Sequence, residues 1–411
     1  MVEPFPREGL PLAEARQQLL AALKPLTGRE WLPLADCLGR VSADACLAIE
    51  AVPGFRASIM DGYAIADPQP PPPGTAWRLV GRSAPGTPFA GVLAAGEAIR
   101  ILTGAPLPEG AARVLPQELV QADSEVLRLQ GEAGANPWIR ADDEEAAPGQ
   151  QLLAPGVRLG PADLGRLAGC GVAQLAVRPR PRIGLLISGD ELVAAGEPRA
   201  PGAIWESNGT LLAALLERLG YEVAERRVVA DEPEALAVAL EQLAAGCDVV
   251  VSTGGVSVGD ADWIRPLLAE HGTVTFWKLF LKPGRPFAFG ELGGKPFFGL
   301  PGNPVAAAIT ALQLLWPALQ ALEGGEPKLF PRLPVRLAAP LRRGAGRPEL
   351  ARARLEVDES GELLAVVEGS QASSRIGSLQ GADLLLEIPA EQGQLEAGTR
   401  LWAQLLRLPL L

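Results

Sequence analysis

The chain has 411 residues, 48% hydrophobic and 21% charged. That balance supports real cores, excludes disorder as a description of the whole, and at about 150 residues per domain sets two to four domains. Asp and Glu outnumber Lys and Arg by 48 to 37, a net charge of −11, so no broad positive field exists to hold nucleic acid or an anionic membrane. Any anionic ligand must be held by local donors. The single histidine, His271, excludes two-histidine metal sites. The four cysteines, Cys37, Cys46, Cys170 and Cys247, form no CxxC pair and fit a reducing cytoplasm.

The opening MVEPFPREGLPLAEA lacks the basic start and apolar run of a signal peptide. Residues 8 to 50 read as helical, with Leu12, Ala15, Leu19, Leu20 and Leu23 at helix spacing. From about 51 to 145 short β-type runs (WRLVG, EAIRIL, ARVLP, EVLRL) alternate with Pro/Gly turns, and Pro70 to Pro73 exclude a central strand there. Within this stretch Asp61-Gly62 is the commonest hairpin-turn pair, so spacing alone favours a turn, and Thr103-Gly-Ala-Pro106 reads as a loop. Residues 146 to 180 return to a helical pattern around PADLGRLAGCG. The expected arrangement is a helical arm interrupted by a β insertion.

Residues 182 to 325 alternate strands (Arg182-Ile-Gly-Leu-Leu-Ile187, YEVAERRVV, CDVVVS, TVTFWKL, PFAFG, KPFFGL) with helices, the pattern of a doubly wound, largely parallel α/β sheet. The last helix, from 305 to 322, is about long enough to span a bilayer, but Gln313, Gln320 and Pro317 favour a buried soluble helix. The tail from about 328 alternates short strands with Gly turns and reads as a small β domain.

Ligands of open α/β sheets bind beyond the carboxyl ends of the strands. Those ends carry Ser188-Gly-Asp-Glu191, Asp231-Glu232, the loop from Ser252 to Asp262 and Pro301-Gly-Asn-Pro-Val305. Such a rim offers backbone N–H groups to phosphate and carboxylates to a hard cation such as Mg²⁺. Structural alternatives stand beside each piece: a capping box at Ser188, a helix cap at Asp231, an N-cap with N1 proline at Asn303-Pro304. In FWKLFLKPGRPFAF, Lys278, Lys282 and Arg285 concentrate positive charge around a bent Pro-Gly loop that suits an oxyanion.

IMDGYA, LTGAPLP, SGDEL, STGGVSVGDAD, FWKLFLKPGRPFAFG and GLPGNPVAA occur in this order, and together they resemble the molybdopterin molybdenumtransferases, the MoeA family, which includes the E domain of gephyrin. The likeness runs from about residue 8 to the end. It implies an α/β plus β multidomain fold in an elongated homodimer. Its units would be a discontinuous helical arm (1–50 and 146–180), a β insertion (51–145), a doubly wound molybdopterin-binding α/β domain (181–327) and a C-terminal β barrel (328–411).

The reaction it implies takes adenylylated molybdopterin and molybdate, with Mg²⁺, and yields molybdenum cofactor and AMP, in a cleft drawn from both subunits. Asp61, Thr103, Glu191, Asp231, Asp260 and Asp262 match catalytic positions, with Glu191, Asp260 and Asp262 as metal ligands. Gly254, Gly255, Ser257, Gly259, Pro301, Gly302 and Asn303 match the substrate-binding loops, and Lys278, Lys282, Arg352 and Ser373 the molybdate donors. The chain departs from the family's R-x-x-G-E-D at Arg140-Ala-Asp-Asp-Glu-Glu145. A histidine-free site is consistent with this chemistry, because phosphoanhydride cleavage demands charge neutralisation more than proton transfer. Two alternatives share the α/β domain: molybdopterin adenylyltransferase, the ATP-dependent preceding step and an expected transient partner, and a non-catalytic gephyrin-like scaffold.

Overall fold

The computed structural model describes residues 9–255 and 263–406. Ser257, Gly259, Asp260 and Asp262 lie outside the described residues. Among the described residues up to 50 the α-helix is confined to Leu12–Ala22, a correction to the helical reading of 8 to 50. The apolar spacing ends at Leu23, and Pro25 cannot continue a helix. The buried face of this helix, Ala15 and Leu19, belongs to the same core as Leu279, Leu281 and Trp316 of the central domain. The rest of the arm meets itself through strands drawn from both sides of the insertion. Glu30–Pro33 pairs antiparallel with Gln174–Val177, and Cys46–Leu47 with Gln151–Leu153. Leu167 of the helix Pro161–Gly169 is buried in the same small core.

The insertion is a six-stranded sheet ordered 113–116, 62–65, 97–101, 76–83, 126–129, 120–122. Asp61-Gly62 is not a hairpin turn. Gly62 opens the strand Gly62–Ile65, and a Cβ there would stand 2.1 Å from the Leu115 carbonyl oxygen, so the close approach of the neighbouring strand explains the glycine.

In the central domain Val223–Val229, Ile183–Ser188, Val249–Thr253 and Lys295–Leu300 lie side by side and parallel. Ala288–Leu292 and Gly272–Trp277 extend the sheet antiparallel. The two central runs IGLLIS and VVVST are buried throughout, as parallel strands covered on both faces must be. Gly272–Trp277 runs the same way as the four parallel strands, so one edge of the sheet gathers five carboxyl ends.

The helix Pro304–Leu322 is long and apolar enough to cross a membrane, yet nearly all of it is buried in the protein. Pro317 has no N–H, so the carbonyl of Gln313 loses its helical donor. A π-turn, Ala311–Leu315, falls at this point. Arg16 Nε supplies the missing donor at 3.0 Å, while its Nη2 reaches Gln313 Oε1 at 3.0 Å.

The C-terminal strands close a barrel in the order Arg332–Leu337, Leu363–Val366, Glu349–Val357, Leu384–Ile388, Arg400–Leu405. It docks on the central domain through main-chain bonds. Lys282 N–H donates to Pro348 O at 2.9 Å, Leu350 N–H to Lys282 O at 2.8 Å, and Val305 N–H to Ser373 O at 3.1 Å.

Candidate functional site

A cleft of about 1050 Å³ opens where the parallel strands end against the barrel. Its lining includes Ser188, Glu191, Asp231, Gly254, Gly255, Lys282, Pro301, Gly302, Asn303 and Ser373. Three structural reasons bring these together: the strand ends share an edge, the Lys282 main chain is stitched to the barrel at Pro348 and Leu350, and Ser373 accepts a bond from the first turn of the long helix. Gly254 has φ +91°, and a Cβ on it would stand 2.5 Å from the Ser188 carbonyl oxygen. A side chain at this position would be strained and would push into the neighbouring strand end.

Neither Ser188 nor Asp231 acts as a helix cap. Gly189 leads into the two-residue strand Leu192–Val193, and the helix Pro233–Gly246 has Glu232 at its N-cap with no side-chain cap bond. Asp231 instead receives its place from Asp190, whose Oδ1 accepts the Asp231 N–H at 2.9 Å. Burial pushes the Asp231 carboxyl above the ordinary carboxylate range, and the charges of Asp190 and Glu191 push the same way. The Ser188 hydroxyl lies close enough to oppose that rise, but not in hydrogen-bond geometry.

Three cleft-lining residues, Ser188, Asn208 and Asp231, hold buried side-chain oxygens with no hydrogen-bond partner among the described residues. Asn208 is fixed by its other end: Nδ2 donates to Thr253 Oγ1 at 2.8 Å and to Gly302 O at 2.7 Å, and Thr253 Oγ1 donates to Pro301 O at 3.1 Å. Among the described residues no three His, Cys, Asp or Glu side chains converge as a complete metal cage. The carboxylates of Glu191 and Asp231 beside orphaned oxygens do fit Mg²⁺, which takes one or two carboxylates, keeps waters and completes its shell from a substrate phosphate.

The other expected residues fall elsewhere. Asp61 and Thr103 touch each other, Asp61 Oδ1 accepting from the Thr103 N–H and hydroxyl, each at 2.8 Å. Those two bonds, the backbone one first, hold the Asp61 carboxyl below its ordinary value. Neither residue lines the cleft. Lys278 also stands outside the lining. It has φ +77°, and its main chain bonds Leu10 and Phe287. Arg352 is buried beneath the barrel loop that carries Ser373, bonding Ser378 Oγ at 3.1 Å and Ala372 O at 3.3 Å. Glu145 pairs with Arg166 at 2.9 Å. His271 lies beside Glu241 and Glu270, away from the cleft.

Trp205, Asn208, Arg347 and Gln371 line the cleft without having been singled out by sequence. Trp205 ends a two-residue strand, Ile204–Trp205, too short for a periodicity signal, and Asn208 opens the helix that follows it. Arg347 follows a Gly-Ala-Gly loop, which was its one visible cue.

Family models match almost the whole chain. The MoeA N-terminal region (domain I and II) covers residues 10–171, a probable molybdopterin binding domain 184–321, and the MoeA C-terminal region (domain IV) 334–406. A molybdopterin molybdenumtransferase of Haemophilus influenzae is 33% identical over 95% of this chain and 96% of its own length. Molybdopterin molybdenumtransferase 2 of Mycobacterium tuberculosis is 31% identical over 93% and 96%. Among solved structures, a molybdopterin biosynthesis MoeA protein from Pyrococcus horikoshii superposes with a TM-score of 0.76 at 25% identity, covering 97% of this chain and 100% of that one. On alignment of this extent, the chain belongs to the MoeA family of molybdopterin molybdenumtransferases.

Proposed function

We propose that this enzyme of molybdenum cofactor biosynthesis takes adenylylated molybdopterin and molybdate into the cleft and releases AMP as the metal oxyanion is inserted. The observation that supports this reading is the meeting, in one cavity, of the Glu191 and Asp231 carboxylates (a third, Glu206, is paired with Arg226), two glycine-bearing strand ends, and Lys282 and Ser373 presented by the barrel contact. The backbone N–H groups at Gly254–Gly255 and Gly302–Asn303 position the phosphoryl oxygens. Lys282 and Ser373 hold molybdate, an oxygen of which attacks the pterin's own phosphorus, forming a Mo–O–P bond as the P–O bond to the adenylyl group breaks and AMP leaves with the bridging oxygen. Glu191 and Asp231 would hold Mg²⁺, whose charge offsets the negative charge that spreads over the phosphoryl oxygens. Asp260 and Asp262, outside the described residues, are the further carboxylates assigned to this function by family resemblance.

The reading includes a homodimer. Trp31, Leu47 and Ile49 line a groove on the arm, and Ile49 is 94% exposed, an apolar area that a second copy would cover. In that dimer the Asp61–Thr103 pair, absent from its own subunit's cleft, completes the cleft of the partner. Transient contact with the adenylyltransferase would deliver the substrate.

The test is incubation of the pure protein with adenylylated molybdopterin, Mg²⁺ and molybdate, with AMP and active cofactor assayed. Molybdate-dependent AMP release is expected. ATP conversion to pyrophosphate without molybdate would assign the protein to the preceding step instead, and binding without turnover would leave the scaffold reading.

A further inference from the structure

Behind the main cleft lies a second cavity of about 500 Å³, lined by Phe280, Lys282, Arg285 and the loop from Arg343 to Arg347. Lys282, Arg285 and Arg347 line both cavities, so the two share a wall of cations. In a chain of net charge −11 this concentration is a local exception. The carboxylate of Glu349, almost fully buried, lies 3.1 Å from Lys282 Nζ and 3.0 Å from Arg343 Nε. That one carboxylate bridges Lys282 and Arg343, and its charge also reaches Arg347.

Arg343 is committed to structure: besides Glu349 it bonds the carbonyls of Pro389, Gln392 and Arg347, which fixes the glycine loop. Arg347 differs. Its Nη1 bonds the Leu281 carbonyl at 3.2 Å, and its guanidinium is half-buried within the field of Arg285. Burial first, and then that like charge, act against its ionised form, and the charge of Glu349 offsets them only in part. Like charges drawn together beside a polar cavity are an unfavourable arrangement that a bound anion relieves.

We propose that Arg285 and Arg347, with Lys282 at the shared wall, form a second anion subsite that takes a tetrahedral oxyanion group in the side cavity. The occupant is either a free oxyanion held next to the main cleft or the phosphate monoester left on the organic product when AMP departs, reaching through it. This deepens the proposed function, since that reading places anionic substrates on the other side of Lys282.

The test is calorimetric titration of the full-length protein with sodium molybdate and, separately, with glycerol phosphate as a plain phosphate monoester. It compares wild type, Arg347→Gln and Arg285→Gln, after thermal melting has verified folding. Loss of one charge-assisted donor should weaken the true ligand about tenfold or more in each variant. Arg347→Lys should recover part of that loss. Weakened molybdate binding with unchanged monoester binding identifies a free oxyanion, and the reverse identifies the ester. Equal affinities for both probes in wild type and both glutamine variants overturn the subsite. Arg285 is exposed, so Arg285→Gln decides the matter even if Arg347→Gln misfolds. Because the readout is binding rather than AMP release, the subsite can fail while the proposed reaction stands, and the converse.

Discussion

Asp231 carries a conflict between burial and charge that a pH series exposes. A carboxyl whose folded pKa lies above its unfolded one binds its proton more tightly when folded. It therefore favours the fold below the carboxylate range, and that contribution is lost as pH rises through the raised value. Asp231→Asn should consequently melt above wild type at pH 7, the difference shrinking towards pH 4, while molybdate-dependent AMP release falls on the order of a hundredfold. A melting difference independent of pH would separate the residue from this account. Asp61 behaves oppositely. Its carboxyl is held low by Thr103, so the stability it contributes is present above the unfolded pKa and lost as pH falls through the lower folded one. Thr103→Val removes the hydroxyl donor but leaves the N–H, so a carbon-detected NMR titration should show the Asp61 pKa moving up part of the way.

The clearest dependence between elements joins the first helix to the last long one. Arg16 is half-buried and makes two bonds to Gln313, one of them to the carbonyl that Pro317 leaves without a donor. Arg16→Met should cost about 1–3 kcal/mol in denaturant unfolding, since charge-assisted bonds are lost and the carbonyl is orphaned. Pro317→Ala restores an N–H to that register, so the Arg16→Met penalty should shrink in the Pro317→Ala background. Additive penalties would show that the two features are unrelated. The same comparison explains why the helical reading of 8 to 50 was too long. Apolar spacing identified the segment around Ala15 and Leu19, whereas the strands Glu30–Pro33 and Cys46–Leu47 are short and take their partners from residues 151 to 177. No local pattern encodes a partner that far along the chain.

Across the whole molecule, a buried node ties the arm to the central domain. Glu323 is fully buried, accepts from Arg158 Nη2 at 2.7 Å and Tyr221 Oη at 3.0 Å, and lies 3.8 Å from Arg180. Glu323→Leu leaves two partly buried guanidiniums without their counter-charge and should cost about 3–5 kcal/mol, read by chemical denaturation. The dimeric site proposed above offers a sharper prediction. Asp61→Ala and Lys282→Ala homodimers should both be nearly inactive, yet after co-refolding in equal amounts, random pairing restores one intact cleft in half the dimers, about a quarter of wild-type activity. No recovery in dimers verified as mixed would place both residues in the same subunit's cleft or remove one from the reaction.

Sequence alone determined the family, through six ordered motifs, and the α/β character of the centre, because buried parallel strands are written as continuous apolar runs such as IGLLIS and VVVST. It also located the strand ends that carry Glu191, Asp231 and Gly254, since a ligand-binding edge follows from topology. Only the tertiary structure decided which cations face the cleft. Lys282 and Ser373 are brought there by main-chain bonds between the barrel and the central domain, whereas Lys278 is held by its backbone outside the lining and Arg352 lies under the loop it supports. Charge and spacing along a chain specify that a donor exists. Where its side chain points is set by contacts between residues far apart in sequence, and those exist only once the domains have docked.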